Sequence, residues 1–467
     1  MNALDPESCW RAVRTHDARF DGRFFVGVTS TRIYCRPICP ARPPKREHCT
    51  FHPSAAAAES EGFRPCLRCR PELAPGFSPA DAPRRLAYAA ALWLEEGNPA
   101  TLERLARRLD VTSRHLRRVF TAEFGVSPVA YAQTQRLLSA KRLLTDTGLS
   151  VTDVAHASGF RSLRRFQSSF KERYRLAPSE LRRDTARTRG PELVLELAYR
   201  PPYAWNEILE FLGARAITGV EAIEKRTYLR TVSIDRHDGW LRVENARGRD
   251  ALRVTLSASL APVVPAVLVR VKRLFDLGAR PDAIAKVLGS LAAKRPGLRV
   301  PGAFDGFEVA VRAILGQQVS VKAASTLAGR VATAFGRSIE TPHAELTTIF
   351  PTPSRLKDAA IEAHGILRAR ADAIRALAAS GIRLEPGTDV PSTLDSLLAL
   401  PGVGPWTAQY LAMRTLAWPD AFPEGDLVLR RALGGVAARE ALTRAEGWRP
   451  WRAYAAMHLW QSIKEER

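Results

Sequence analysis

The sequence predicts an α+β chain of several domains. Three observations point there: its length, the placement of its cysteines, and changes in apolar periodicity. At 467 residues the chain is long enough for about three or four compact units. All six cysteines lie at or before Cys69. Behind them, an arginine-rich stretch with helical spacing gives way near residue 192 to alternating apolar and polar positions. Helical spacing returns near Pro262. Hydrophobic residues make up 46% and charged residues 25%, which are globular proportions and argue against a disordered basic tail. The net charge of +22, carried mostly by arginine, favours a polyanionic partner, with nucleic acid the leading choice. No apolar run approaches the roughly 20 residues of a membrane span, and the start MNALDPESCW lacks a basic-then-apolar signal. A cytoplasmic protein without membrane contact is expected.

The cysteines read Cys35-x3-Cys39 and Cys66-x2-Cys69. Two close pairs about 26 residues apart suit a tetrahedral zinc site with four thiolate ligands. Spacing alone leaves a folding staple ahead of a reactive centre. Cys9 and Cys49 are left over and read as small buried residues. Pro37, Pro40, Pro43 and Pro44 argue against long helices here, and Pro75 to Pro83 reads as a linker. The run Thr31-Arg32-Ile33-Tyr34-Cys35-Arg36-Pro37-x-Cys39, followed by Gly62-Phe63-Arg64-Pro65-Cys66-x-x-Cys69, resembles the amino-terminal domain of the Ada DNA methyl-damage sensors. The resemblance implies that Cys35 is both a zinc ligand and a nucleophile that takes a methyl group from a methylated DNA phosphate. Cys39, Cys66 and Cys69 are then the other ligands, with Thr31, Arg42 and Arg64 as candidate phosphate contacts. Four thiolates on zinc carry a formal charge of minus two, and methylating one of them halves it. Affinity for DNA should therefore rise after repair.

Thr101 to Phe120 (TLERLARRLDVTSRHLRRVF) reads as helix, tight turn, helix. Thr101 suits an N-cap, although Arg104 stands where a capping box would want Glu. Ser113 opens the second helix. The pattern recurs from Val151 to Phe170, with the turn at Gly159 and the second helix over Ser162–Phe170. A long helix of about Pro128 to Leu144 joins the two. A helical bundle with solvated arginines would share this composition. Two such units in tandem resemble the AraC-type DNA-binding domain, which implies Arg117 and Gln167 as base-reading candidates in successive major grooves. Thr185 to Pro191 reads as a second linker.

The runs LVLELAY, RTVSI, WLRVEN and LRVTLSA predict antiparallel strands. Leu400-Pro401-Gly402-Val403-Gly404 separates helical runs Ser392–Ala399 and Pro405–Leu416, a helix-hairpin-helix pattern in which glycines let the backbone approach a phosphate. Asp426 precedes LVLRRAL as an N-cap would. The runs Arg200-Pro201-Pro202-Tyr203, Phe211-Leu212-x-Ala214-Arg215-Ala216, Arg312-Ala313-Ile314-Leu315-Gly316-Gln317, Pro405-Trp406-Thr407-Ala408 and Trp448-x-Pro450-Trp451-Arg452 resemble the AlkA-type 3-methyladenine glycosylases over about residues 192–463. That resemblance implies Asp426 as the catalytic carboxylate, and Phe211, Trp406, Tyr410 and Trp460 as the walls of the base pocket. It places Gln318 at the wedge position, where the family's best-known form has leucine. Gly402, Gly404 and Thr407 are implied as DNA contacts of the hairpin. Related lyases carry lysine where this chain has Trp406, so a monofunctional enzyme is expected. For each aromatic taken alone, core packing is the plainer reading.

The implied fold is therefore a small zinc-bound α/β domain (1–76), an all-α double helix-turn-helix domain (84–184), an antiparallel-sheet α+β domain (191–300) and an all-α helix-hairpin-helix glycosylase domain (301–467). The implied function joins methyl sensing, transcription regulation and excision of alkylated bases. The expected partners are double-stranded DNA and, for an activator, RNA polymerase. Two reader helices in one chain suit a monomer. The rival reading is a DNA-binding regulator whose carboxy-terminal half does not catalyse.

Overall fold

Short apolar runs separated by turns build the front of the chain into strands Phe25–Val28, Ile33–Cys35, Cys49–His52 and Arg64–Pro65. In space their order is third, first, second, fourth, and only the last pair is parallel. The computed structural model describes residues 5–76, 85–97, 101–183 and 192–465. The predicted linker at 185–191, and all but the first two residues of the one at 75–83, lie outside that set. The chain divides into two compact units: Met1–Pro201 with Ala246–Lys272 and Leu277–Ala279, and Pro202–Asn245 with Arg273–Asp276 and Arg280–Arg467. Among the described residues no helix is long and apolar enough to cross a membrane.

In the first unit, helix Pro6–Arg14 contributes Cys9 and Val13 to a cluster with Phe24, Val26 and Cys49. The two spare cysteines are thus packing residues, as expected. Residues 36–45, where prolines crowd, form turns without a helix. A second cluster joins Phe25, Tyr34, Ala58 and Phe63 to Leu138 of helix Pro128–Asp146. The long linking helix therefore lies directly against the cysteine-bearing sheet.

Both helix-turn-helix patterns form: Leu102–Arg108 with Ser113–Phe124, and Val151–Ala157 with Leu163–Tyr174. Asp110 (φ 53°) and Gly159 (φ 80°) make the turns. Thr101 occupies the predicted N-cap, but its hydroxyl makes no capping bond. Thr112, Ser127, Ser150 and Ser162 do cap, each accepting from the amide three residues on. The second reader helix runs one turn beyond the expected Phe170. Tyr174 extends the buried stripe of Phe166 and Phe170, and its ring meets Phe170 edge-on at 4.7 Å. Strands Glu192–Ala198 and Ala251–Ser257 pair antiparallel in the same unit.

The second unit opens with helix Trp205–Gly213 and a meander of Glu221–Glu224, Thr227–Ile234 and His237–Asn245. The first of these strands was not expected from its weak pattern. Pairing recruits it, with Glu221 opposite Arg230. Helices follow, packed on Ile314, Leu315, Val331, Ile374, Leu397 and Leu411. Helix Val390–Leu398 starts two residues before the expected Ser392, because Asp389 caps it by accepting from the Ser392 amide. The hairpin's second helix is Pro405–Arg414, two residues shorter than expected.

Candidate active site and metal centre

The hairpin at 400–404 turns through Gly402, whose φ is +75°. A Cβ there would stand 3.1 Å from the Ala373 Cβ, so the position suits glycine for both conformation and space. The turn launches Pro405–Arg414 with Trp406 and Tyr410 one helical turn apart on one face. Their rings stack at 5.2 Å and 8°. Asp426 caps helix Leu427–Ala432, its Oδ1 accepting from the Val428 and Leu429 amides, both at 2.9 Å. The same carboxylate accepts from Trp406 Nε1 at 2.8 Å and Trp460 Nε1 at 3.1 Å. Four N–H donors converge on one half-buried group, an arrangement that the acceptor-only anion satisfies. Phe211 lies 6.4 Å from Trp460 at 25°, and Tyr410 stands 6.4 Å from Trp460. All four predicted aromatics and the predicted acid therefore meet in one place.

Three arginines left without a role by the sequence lie against this cluster. Arg414 donates from Nη1 to the Tyr410 hydroxyl at 2.7 Å. Arg215 stacks 3.7 Å above the Phe211 ring, and Arg312 donates to the Arg215 carbonyl at 2.8 Å. Burial pushes the Tyr410 pKa up, but Arg414, Arg215 and Arg312 outweigh it and bring the hydroxyl down to about 8. Arg215 and Arg312 lie inside motif runs that could have drawn attention to them. Arg414 carries no such signal.

Among the hairpin residues, Gly404 has open space where a Cβ would sit. Thr407 is another of the expected DNA contacts of the hairpin. It is 2% exposed, and its hydroxyl accepts from Gln317 Nε2 at 3.0 Å, so its side chain braces the hairpin from within. Gln318 is exposed with φ +55°.

In the first unit, parallel pairing of Tyr34 with Pro65 brings the next residues, Cys35 and Cys66, side by side. The sulfurs of Cys35, Cys39, Cys66 and Cys69 lie within 4.8 Å of one another. Four thiolates at about 2.3 Å from a tetrahedral zinc need a cluster of this size, so the residues fit that metal. The Arg36 amide donates to Cys69 Sγ at 3.3 Å, and its buried guanidinium pairs with Asp21. Cys39, Cys66 and Cys69 are buried, whereas Cys35 is partly exposed. It opens on a cavity of about 530 Å³ lined also by His16, Ser30, Thr31, Arg42 and Arg68. Thr31 and Arg42, two of the expected phosphate contacts, thus line this cavity. Arg64 is half-buried opposite Ile33 and does not line the cavity.

Residues 8–72 match the metal binding domain of Ada, residues 105–184 a helix-turn-helix domain, and residues 194–305 the AlkA N-terminal domain. A probable bifunctional transcriptional activator/DNA repair enzyme AlkA of Mycobacterium tuberculosis is 40% identical over 98% of this chain and 97% of its own length. The chain belongs to the AlkA family of bifunctional transcriptional activator/DNA repair proteins. DNA-3-methyladenine glycosylase 2 of Escherichia coli is 38% identical over 56% of this chain and 95% of its own length. The 3-methyladenine DNA-glycosylase of Archaeoglobus fulgidus shares the fold, with a TM-score of 0.51 and 19% identity over 58% of this chain and 98% of its own.

This AlkA-family chain also joins its sensor to its reader through buried charge. Glu72 pairs with Lys141 of the linking helix at 2.6 Å, both 2% exposed, and with Arg70, which reaches Asp146 at 2.8 Å. Glu59 accepts from Tyr34 and from Thr134, both at 3.1 Å. The predicted readers Arg117 and Gln167 are exposed, each directly following a buried residue, Leu116 or Phe166.

Proposed function

We propose that this protein both repairs alkylated DNA and regulates the response to it. It takes methyl groups from DNA methylphosphotriesters onto Cys35, regulates transcription through its paired helix-turn-helix, and excises alkylated bases such as 3-methyladenine as a monofunctional glycosylase. The working divisions are 1–76 for the zinc-bound α/β methyl acceptor, 84–184 for the all-α reader, 191–300 for the antiparallel-sheet α+β domain and 301–467 for the helix-hairpin-helix glycosylase domain. Double-stranded DNA is the substrate and operator, RNA polymerase is the partner in activation, and the chain acts as a monomer.

One observation carries the glycosylase reading: a carboxylate held by two indole N–H groups within a cluster of four aromatic rings. Alkylation at a ring nitrogen makes the base cationic and weakens its bond to the sugar. The nucleotide is extruded, and its base stacks on the rings, which favour positive charge. As the bond from sugar C1′ to nitrogen breaks, its electrons leave with the base and positive charge grows on the sugar. Asp426 stabilises that charge, and water then adds to C1′ and loses a proton. The same carboxylate argues against a regulator with an inert carboxy-terminal half. In methyl transfer, the Cys35 sulfur attacks the methyl carbon while the carbon–oxygen bond breaks, releasing an ordinary phosphodiester. Zinc, when bound, holds the sulfurs as thiolates at neutral pH. The partial exposure of Cys35 among buried partners supports it as the acceptor.

Incubation with methylated duplex DNA tests both activities. Free 3-methyladenine should appear with the parent protein and be lost with Asp426→Asn. Intact mass should rise by one methyl group per chain, and Cys35→Ser should abolish that rise. Release that persists in Asp426→Asn would refute the role given to the acid.

A further inference from the structure

The stretch matching the AlkA N-terminal domain does not stay within one compact unit. Strands Glu192–Ala198 and Ala251–Ser257 fall in the first unit, with the cysteine cluster and the paired helix-turn-helix. Two buried arginines tie them there. Arg200, 1% exposed, donates from Nε to the Asp21 carbonyl at 2.9 Å, from Nη2 to the Gly76 carbonyl at 3.1 Å and from Nη1 to the Gly278 carbonyl at 2.7 Å. Asp21 and Gly76 belong to the cysteine-bearing module. The Pro75 carbonyl oxygen passes so near Gly22 that a Cβ there would stand 2.2 Å from it. The Asp21 carboxylate pairs with buried Arg36, whose Nη1 donates to the Cys69 carbonyl at 3.1 Å and whose amide donates to Cys69 Sγ at 3.3 Å. A run of hydrogen bonds through Arg36 and Asp21 therefore leads from a cysteine sulfur to Arg200. Arg142 of the linking helix closes the other side. It is buried and donates to the Glu196 carbonyl. Glu192–Ala198 is the edge strand of its sheet, so this donor covers a carbonyl on an open edge. The linking helix is itself held to the cysteine module by Glu72 and Lys141. Cysteine module, linking helix and strand pair thus form a closed ring of buried polar contacts.

We propose that Arg200 and Arg142 build the strand pair into the fold of the zinc module, and that base excision thereby depends on a metal that takes no part in it. The inference rests on the zinc and glycosylase readings. Arg200 is the positioning residue. It stands just ahead of Pro201 and Pro202, where the chain crosses into the second unit. Phe211 of the aromatic cluster lies on the next helix, Trp205–Gly213. A buried guanidinium is costly unless its N–H groups are matched, so Arg200 holds its three carbonyl partners and its own strand in one arrangement. A metal that needs four cysteines in one place stabilises whatever folds with them. Loss of zinc should then loosen the strands and the segment that leads to Phe211.

The test strips zinc from the full chain with a chelator and follows amide exchange by mass spectrometry. In the parent protein, exchange over 192–198 and 251–257 should speed about tenfold or more, while helix Arg368–Ser380 keeps its protection. Single-turnover release of 3-methyladenine from methylated duplex should fall about threefold or more, and added zinc should restore it. In Arg200→Gln neither quantity should respond to zinc, whereas an arginine serving structure alone would lower release equally with and without the metal. Arg142→Gln should speed exchange over 192–198 with zinc still bound. Loosening confined to residues 25–69, equal loosening of helix Arg368–Ser380, release that ignores zinc in the parent, or a full zinc response in Arg200→Gln would overturn the proposal. The comparison within the parent decides even where a variant fails to fold. A parent protein that takes up no zinc would instead overturn the metal reading, and one that holds zinc yet releases no base would overturn the glycosylase reading.

Discussion

Asp426 answers to two demands with one carboxylate. Its Oδ1 caps a helix, and both oxygens take indole N–H groups, so the cap and the proposed chemistry would draw on the same carboxylate. Asp426→Asn keeps the side chain's shape but removes that charge. Base release should fall by about 100-fold or more, while binding to undamaged duplex is retained in a gel-shift assay. Its place at a helix cap among the aromatics was legible because an acid stood at a helix start behind a hairpin and a set of aromatics. Arg414 was not legible, since an arginine within a helix ordinarily reads as a solvated charge. Its role emerges from its bond to the Tyr410 hydroxyl. Arginine favours the charged tyrosinate, so Arg414→Met should raise the Tyr410 pKa above its present value of about 8. Tyrosinate absorbance during alkaline titration reads that shift directly.

Elements were read well where a local signal set them. The cap-and-turn pattern of both helix-turn-helix units and the glycine hairpin lie within short windows of sequence. Boundaries slipped where a neighbour decided them, as when Tyr174 lengthened a helix by packing edge-on against Phe170. The hairpin depends on its left-handed glycine, and Gly402→Ala should cost about 1 kcal/mol or more in a thermal melt. The sensor and the linking helix depend on a buried ion pair. Lys141→Met would leave Glu72 buried beside Arg70 alone. Removing one partner of such a pair costs about 3–5 kcal/mol, which chemical denaturation of the full chain would record as earlier loss of the first unit.

For the molecule as a whole, stability should depend on pH in a direction set by its buried acids. Burial, only partly offset by Arg173, lifts Glu59 in the first unit to about 7. Burial does the same for Glu308 in the second, against the pull of Arg230. Between their ordinary value of 4.5 and about 7, the folded protein holds protons that the unfolded chain has released. Stability should therefore fall as pH rises through that window. Melting temperatures across the window should show the decline, and Glu59→Gln should flatten it for the first unit. By itself the sequence determined which chemistries the chain carries: thiolate pairs, twin reader helices, a phosphate-approaching hairpin and a carboxylate behind it. Each is written in a short stretch whose spacing dictates its geometry. It took the fold to bring Phe211 to Trp460 and to ring Tyr410 with arginines. Those contacts join segments far apart in the chain, and only close packing of a folded core brings such distant side chains together.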